Sequence, residues 1–289
     1  MEIKAFFQLA IYGILLTLSA CEEKNDLINF KTEEFNTLKL DSSYQSATLD
    51  SAQPKNVLLE DFTAIRCVNC PRAQKEAKKI QDENPGRVVV SSVHVSDLAI
   101  PYKESKYDFR TTDAENLLAY LGGVSGLPTG AIDRKLYGSN TKPFVLDYQW
   151  KAFVKQQLAI KTPVNIDIIK KEPGQDGATK FQIKVTYTEA VNSPQYLSAF
   201  INESAFTDLQ LTTVGVDSNY THNHAFRGIM QPSSGLKLGD NFTKGQTFLV
   251  NIAIKTPENW KTENCHLSAF IHNREGNFEV IHIQETELK

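Results

Sequence analysis

The apolar and polar positions of the chain fall into two regimes. The run Val57-Leu58-Leu59-Glu60-Asp61-Phe62 has the length and composition of a buried strand. The stretch from Pro71 then sets Ala73, Ala77 and Ile80 on one helical face, until Asn84-Pro85-Gly86 ends it. Pro71 suits a first helical turn, where a missing amide costs nothing. Val88-Val89-Val90-Ser91-Ser92-Val93-His94-Val95 is β-branched and apolar enough for a central strand. A second helix, with Leu117, Leu118 and Leu121 on its apolar face, is expected to open on a capping box at Thr112 and Glu115 and to close at Gly122-Gly123. Gly126 to Asp133 leads into another strand. A third helix carries Leu146, Trp150, Phe153, Val154 and Leu158 on one side.

After Thr162-Pro163 the helical period disappears. Segments 164–169, 181–188, 196–202, 247–254, 265–273 and 278–285 read as strands separated by Pro, Gly, Asn and Asp clusters. The pattern predicts an α/β domain over 54–160 and an all-β sandwich domain over 161–289.

The first twenty residues combine Lys4, an apolar stretch from Ala5 to Leu18 and the ending Leu18-Ser19-Ala20-Cys21. They read as a lipoprotein signal peptide over 1–20, with acylation, palmitate included, at Cys21. Residues 21–53, opening Glu22-Glu23-Lys24, read as a polar tether. The acidic pair after Cys21 points to the outer membrane and possible surface exposure. No later apolar run reaches the ~20 residues of a membrane-spanning helix. A formal charge of −3 with interspersed signs offers no basic stripe, so nucleic acid is not expected as a partner. The expected contacts are the membrane, through the lipid, and exported or surface proteins.

Of the four cysteines, Cys67 and Cys70 form the one short-range pair. Cys67-Val68-Asn69-Cys70-Pro71 stands between a strand and a helix. That spacing lets both sulfurs share a first helical turn, whose free amides and positive dipole end favour a thiolate. The pair is a candidate for thiol-disulfide exchange, with a permanent structural disulfide as the alternative. Cys265 reads as a small buried side chain. His222 and His224, two apart, would share one side of a strand, but without a third ligand they do not make a metal site; hydrogen bonding is the expected role. No cofactor site is read. His94, at the end of its strand, reads as a core or loop histidine.

Strand, Cys67-x-x-Cys70, helix, strand and then Leu127-Pro128-Thr129 together resemble the thioredoxin fold. The resemblance implies a cis bond at Pro128 beside the dithiol, where its backbone docks substrate peptide. It also implies a buried acid beneath the sulfurs, either Glu60 or Asp61. Arg66 stands where thioredoxins have tryptophan, and Val68-Asn69 where they have Gly-Pro. Arg66 is expected to stabilise a Cys67 thiolate. More narrowly, Glu60-Asp61-Phe62-Thr63 before Cys-x-x-Cys-Pro, together with Thr221-His222-Asn223-His224-Ala225-Phe226-Arg227, resembles the Omp28-related outer-membrane lipoproteins. Two functions follow as expectations. One is a lipid-anchored thiol-disulfide oxidoreductase in which Cys67 attacks and Cys70 resolves. The other is a surface-exposed, adhesin-like binding protein whose thioredoxin-like unit is a scaffold.

Overall fold

The computed structural model describes residues 35–289 except Leu49, 174–176 and Gly276. Its strands are β1 (Lys39–Gln45), β2 (Val57–Thr63), β3 (Val88–His94), β4 (Thr129–Ile132), β5 (Phe144–Val145), β6 (Val164–Lys171), β7 (Thr179–Tyr187) and β8 (Gln195–Glu203). They continue with β9 (Phe206–Thr212), β10 (Gly215–His222), β11 (Ala225–Ile229), β12 (Leu236–Gly239), β13 (Gln246–Ile254), β14 (Cys265–His272) and β15 (Val280–Glu287). Three helices interrupt them: α1 (Cys70–Glu83), α2 (Thr112–Tyr120) and α3 (Asp147–Leu158).

Every residue of β2 and β3 is buried, as their apolar runs require. The two pair in parallel, joined through α1, while β4 lies antiparallel on the other side of β2 and β5 beyond it. Helix α1 buries Pro71, Ala73, Ala77 and Ile80, and α3 buries Trp150 and Val154. Together they cover Val57 and Leu59. The opposite face of β2, through Leu58 and Phe62, packs with Ala114, Leu117 and Leu121 of the α2 region. Helix α2 starts one residue earlier than its sequence implies: Thr111 Oγ1 accepts from the amide of Ala114 at 3.0 Å, and Glu115 instead accepts from the amide of Ser96. Leu146 is the exposed residue before α3 and does not join its apolar face.

A four-stranded sheet, β1-β13-β7-β6, forms one layer of a sandwich. Phe181, Ile183 and Val250 of that layer meet Leu197, Ala199, Leu267 and Ala269 of β8 and β14. The second layer, however, does not end there. The order β15-β14-β8-β11-β3-β2-β4-β5 runs on into the α/β half, through a bridge between Ala225 and Ser92 and a hydrogen bond from the Ser92 amide to the His224 carbonyl. The expected boundary at residue 161 is therefore not a break between separate bodies, and the described residues form one compact unit. Strand β3 would otherwise carry an open edge, which pairing with β11 closes.

The tether expected over 21–53 is corrected in part. Residues 39–45 pair with β13 as an edge strand with all seven residues exposed, so no apolar alternation marks it. The signal segment and Cys21 lie outside the described residues.

Candidate dithiol site

Cys67 and Cys70 are joined by a disulfide, with Cα atoms 5.3 Å apart. The amide of Cys67 donates to the Ala64 carbonyl and that of Cys70 to the Cys67 carbonyl, forming the turn from which α1 starts. The first turn of α1 contains no acidic residue, so no carboxylate competes with the sulfurs for the positive end of its dipole. Both cysteines are nearly closed to solvent, at 4% and 0% exposure. Leu127 packs against Cys67, Cys70, Ala64 and Ala99, and the Leu127–Pro128 peptide bond is cis. The structure thus brings Leu127, the residue before cis Pro128, to the dithiol across a long stretch of chain.

It also separates the two acids. Glu60 shares a face of β2 with Leu58 and Phe62, and both its carboxylate oxygens accept from Arg134, the closest contact being 2.6 Å. Asp61 shares the opposite face with Val57 and Leu59, under α1 and α3. It is fully buried, and neither of its oxygens has a hydrogen-bond partner among the described residues. Burial, reinforced by the carboxylate of Asp147, holds Asp61 well above the usual carboxylate range. Asp147 is itself paired with Arg72. Asp61 therefore holds the position beneath α1, and Glu60 does not.

Arg66 is bonded to a neighbouring loop. Its guanidinium donates to the carbonyls of Ile100 and Pro101, at 2.7 and 2.8 Å, and lies over the Tyr102 ring. These contacts hold the loop 100–102 against the dithiol turn.

The antiparallel pair β9–β10, absent from the strands that the sequence pattern predicts, lies against the site. Gln210, fully buried on β9, donates from Nε2 to the carbonyls of Ala64 at 3.3 Å and Cys67 at 3.2 Å. Beside it the Leu211 amide donates to the Ile65 carbonyl. From β10 the Tyr220 hydroxyl donates to Gln74 Oε1 of α1, and Gln74 Nε2 donates to Thr63 Oγ1. No local motif announces Gln210 or Tyr220, because their partners lie more than a hundred residues away. Between α1 and the β9–β10 turn runs an open groove of about 870 Å³, bordered by Val68, Lys75, Val214 and Val216.

His222 and His224 do not share a strand face. Strand β10 ends at His222, and His224 takes a left-handed φ of 56°. His222 is buried with His94, Phe109 and Tyr220 around it, and its Nε2 lies 3.3 Å from the Leu209 carbonyl. His94 is a core residue, stacked on Phe109 with ring centres 4.8 Å apart. Among the described residues no three His, Cys, Asp or Glu side chains come together as metal ligands. Cys265 is buried, and burial pushes its thiol up to about 12.

No curated protein matches the chain. Among solved structures it is similar to HBP35 of Porphyromonas gingivalis, with a TM-score of 0.64 and 17% identity over 83% of this chain and 77% of that one. It is also similar to protein AGR_C_4864 from Agrobacterium tumefaciens, with a TM-score of 0.52 and 14% identity over 82% of this chain and 97% of that one. At these identities the likeness is one of fold alone. The model of the family described as outer membrane protein Omp28 matches residues 115–289, from within α2 through the sandwich, with the dithiol outside the match. That match spans more than half of the sequence, and the chain belongs to the Omp28 outer membrane protein family.

Proposed function

We propose that this protein is a lipid-anchored thiol-disulfide exchange protein of the outer membrane, acting on exported proteins through Cys67 and Cys70. Membership of the Omp28 family makes it a cell-envelope protein; acylation at Cys21 and thioredoxin-like character are part of this reading. The observation that carries it is one constellation. A disulfide at the start of α1 is flanked by the cis Leu127–Pro128 bond, with Asp61 on the face of β2 that α1 covers. The order β3-β2-β4-β5, with β4 antiparallel and α1 linking β2 to β3, supports a thioredoxin-like unit.

In the reducing direction the Cys67 thiolate attacks a substrate disulfide, and one substrate sulfur leaves as thiolate. The Cys70 thiolate then attacks Cys67 in the mixed disulfide, releasing the second substrate thiolate and forming the Cys67–Cys70 bond. Two electrons pass to the substrate. Asp61, as its carboxylate, takes up the proton that Cys70 loses in this step, an uptake that its raised proton affinity favours, and gives it back in the reverse direction. The oxidising direction is the reverse.

A Cys70→Ser variant tests this reading. It should accumulate mixed disulfides through Cys67 with specific envelope proteins, seen as reductant-sensitive adducts. Absence of adducts, or a reduction potential below about −300 mV, the range of structural bridges, overturns it.

A second reading is favoured by the cap. With both sulfurs nearly closed to solvent and Gln210 holding the Cys67 carbonyl, the disulfide can serve as a staple in a binding protein. In that case the trapping variant captures nothing.

A further inference from the structure

Strand β10 pairs with β9 alone. Leu211 of β9 sends its amide to the Ile65 carbonyl at 2.7 Å, and its own carbonyl accepts from Gln210 Nε2 at 3.0 Å. Neither group is spent on β10. Leu211 stands opposite Val216, so the two form a non-hydrogen-bonded pair, in which the main-chain groups of both residues point out of the ribbon. The amide and carbonyl of Val216 therefore face away from β9, on a side where no other strand lies among the described residues.

Val216 borders the groove of about 870 Å³ beside α1, and so do Val68 and Asn69, the two residues between the cysteines. Apolar surface is open along it: Val68 and Val216 are half-exposed, and Val214, at the turn, is 96% exposed. Edge strands are usually blunted with charge or proline, yet Thr212 to Val216 carries neither. Lys75 and Lys79 on the α1 wall are offset by Glu76 beside them and Asp217 opposite, so the groove selects no net charge. A donor and an acceptor on one residue, a strip of valines and no preferred charge match an extended polypeptide with apolar side chains, the partner of strand addition.

We propose that β10 takes up a segment of the exported substrate as an added strand, through the amide and carbonyl of Val216, with the segment's apolar side chains on Val68, Val214 and Val216. This rests on the exchange reading and names its substrate class: extended, unfolded segments with apolar residues close to a cysteine. The docking position is supplied by a strand of the β-rich half, not by the Leu127–Pro128 segment. A segment lying there passes Val68 and Asn69, which brings its cysteine to the dithiol turn.

Carboxymethylated α-lactalbumin, an unfolded chain with its cysteines blocked, probes docking without the chemistry. Fluorescence anisotropy of the labelled probe should show saturable binding to the mature chain with its disulfide closed. Val216→Pro removes the outward amide and keeps the pairing with β9, since proline is tolerated on an edge strand. It should weaken binding about fivefold or more, as the loss of one hydrogen bond implies. Combined with Cys70→Ser, it should lower the yield of mixed disulfides with scrambled ribonuclease by a similar factor. Binding of the blocked probe without any trapping would sink the exchange reading and leave β10 standing as a docking edge. Three results overturn the proposal: no saturable binding of the blocked probe, unchanged binding and trapping in Val216→Pro, or a dimer of the parent that Val216→Pro disperses, which would give the edge to a second copy. Should Val216→Pro fail to fold, Val216→Lys decides in its place. It sets a charge on the edge without touching the main chain and should weaken binding several-fold.

Discussion

The side-chain amide of Gln210 hydrogen-bonds the main-chain carbonyl of Cys67 at 3.2 Å, fastening a strand from the β-rich half onto the turn that carries the disulfide. The same amide holds Ala64, and the neighbouring Leu211 amide holds Ile65. Lifting of β9 from this turn is a local opening whose free energy these bonds set.

Gln210→Ala should make that opening easier. Losing two hydrogen bonds at about 1 kcal/mol each corresponds to roughly a tenfold or greater rise in the open population. Reduction of the disulfide by a small dithiol, followed by alkylation and mass, should accelerate accordingly at temperatures far below unfolding. A rate equal to that of the parent protein would show that β9 is no barrier.

Asp61 and Glu60 are adjacent in sequence, and only their faces separate them. A strand gives each residue the opposite side, but the sequence does not say which side α1 will cover. The same limit explains much else. The strands with apolar runs, β2, β3, β6, β7, β8, β13, β14 and β15, are readable because burial on one or both faces imposes a pattern. β1 and most of β10 are exposed, and the short β5, β11 and β12 are recruited by partners distant in sequence, so local pattern does not mark them. Cys67, Cys70 and Pro128 were legible as a motif. Gln210, a polar residue whose importance comes from its contacts, was not.

The separation of the two acids makes opposite predictions for their replacement. An acid whose folded pKa is raised contributes stability that is full below its unfolded value and is lost as pH rises through the folded value. Asp61→Asn should thus match the parent at pH 4 and exceed its stability at pH 8, by about 1.4 kcal/mol for each unit by which the folded pKa is raised. Glu60→Ala leaves Arg134 buried without its partner and should cost about 3–5 kcal/mol at pH 8. Urea unfolding at the two pH values distinguishes these outcomes. If Asp61 exchanges the Cys70 proton, Asp61→Asn should also slow resolution of mixed disulfides.

His94 offers a pH test at a second buried group. It faces His222, Arg227 and Asp108 in addition to the Phe109 ring, and burial, then His222, lowers its pKa to about 3. Below about 6.5 the unfolded chain takes up a proton that the folded chain refuses, so this residue's contribution is lost as pH falls from there toward 3. His94→Phe removes that penalty. The variant should gain about 2 kcal/mol relative to the parent on going from pH 8 to pH 5. Parallel stability curves for the two proteins would refute the assignment.

Gly130 is the residue across from Asp61 in the β2–β4 register, and Trp150 of α3 lies directly on it. A Cβ there would meet the indole at 2.6 Å, while the indole nitrogen donates to the Val145 carbonyl at 3.1 Å. The ring cannot retreat without giving up that bond and disturbing the layer that covers Asp61. Gly130→Ala is expected to cost about 2 kcal/mol or more, from overpacking together with a strained hydrogen bond. Gly126→Ala, where a Cβ meets nothing within 4 Å, is the control. Trp150 is one of only two tryptophans, so a shifted emission maximum in the folded Gly130→Ala protein would report the displaced indole directly. Equal unfolding midpoints for the two variants would mean that α3 yields freely at this contact. In that case the close seat of Trp150 on β4 could not be what keeps water from Asp61.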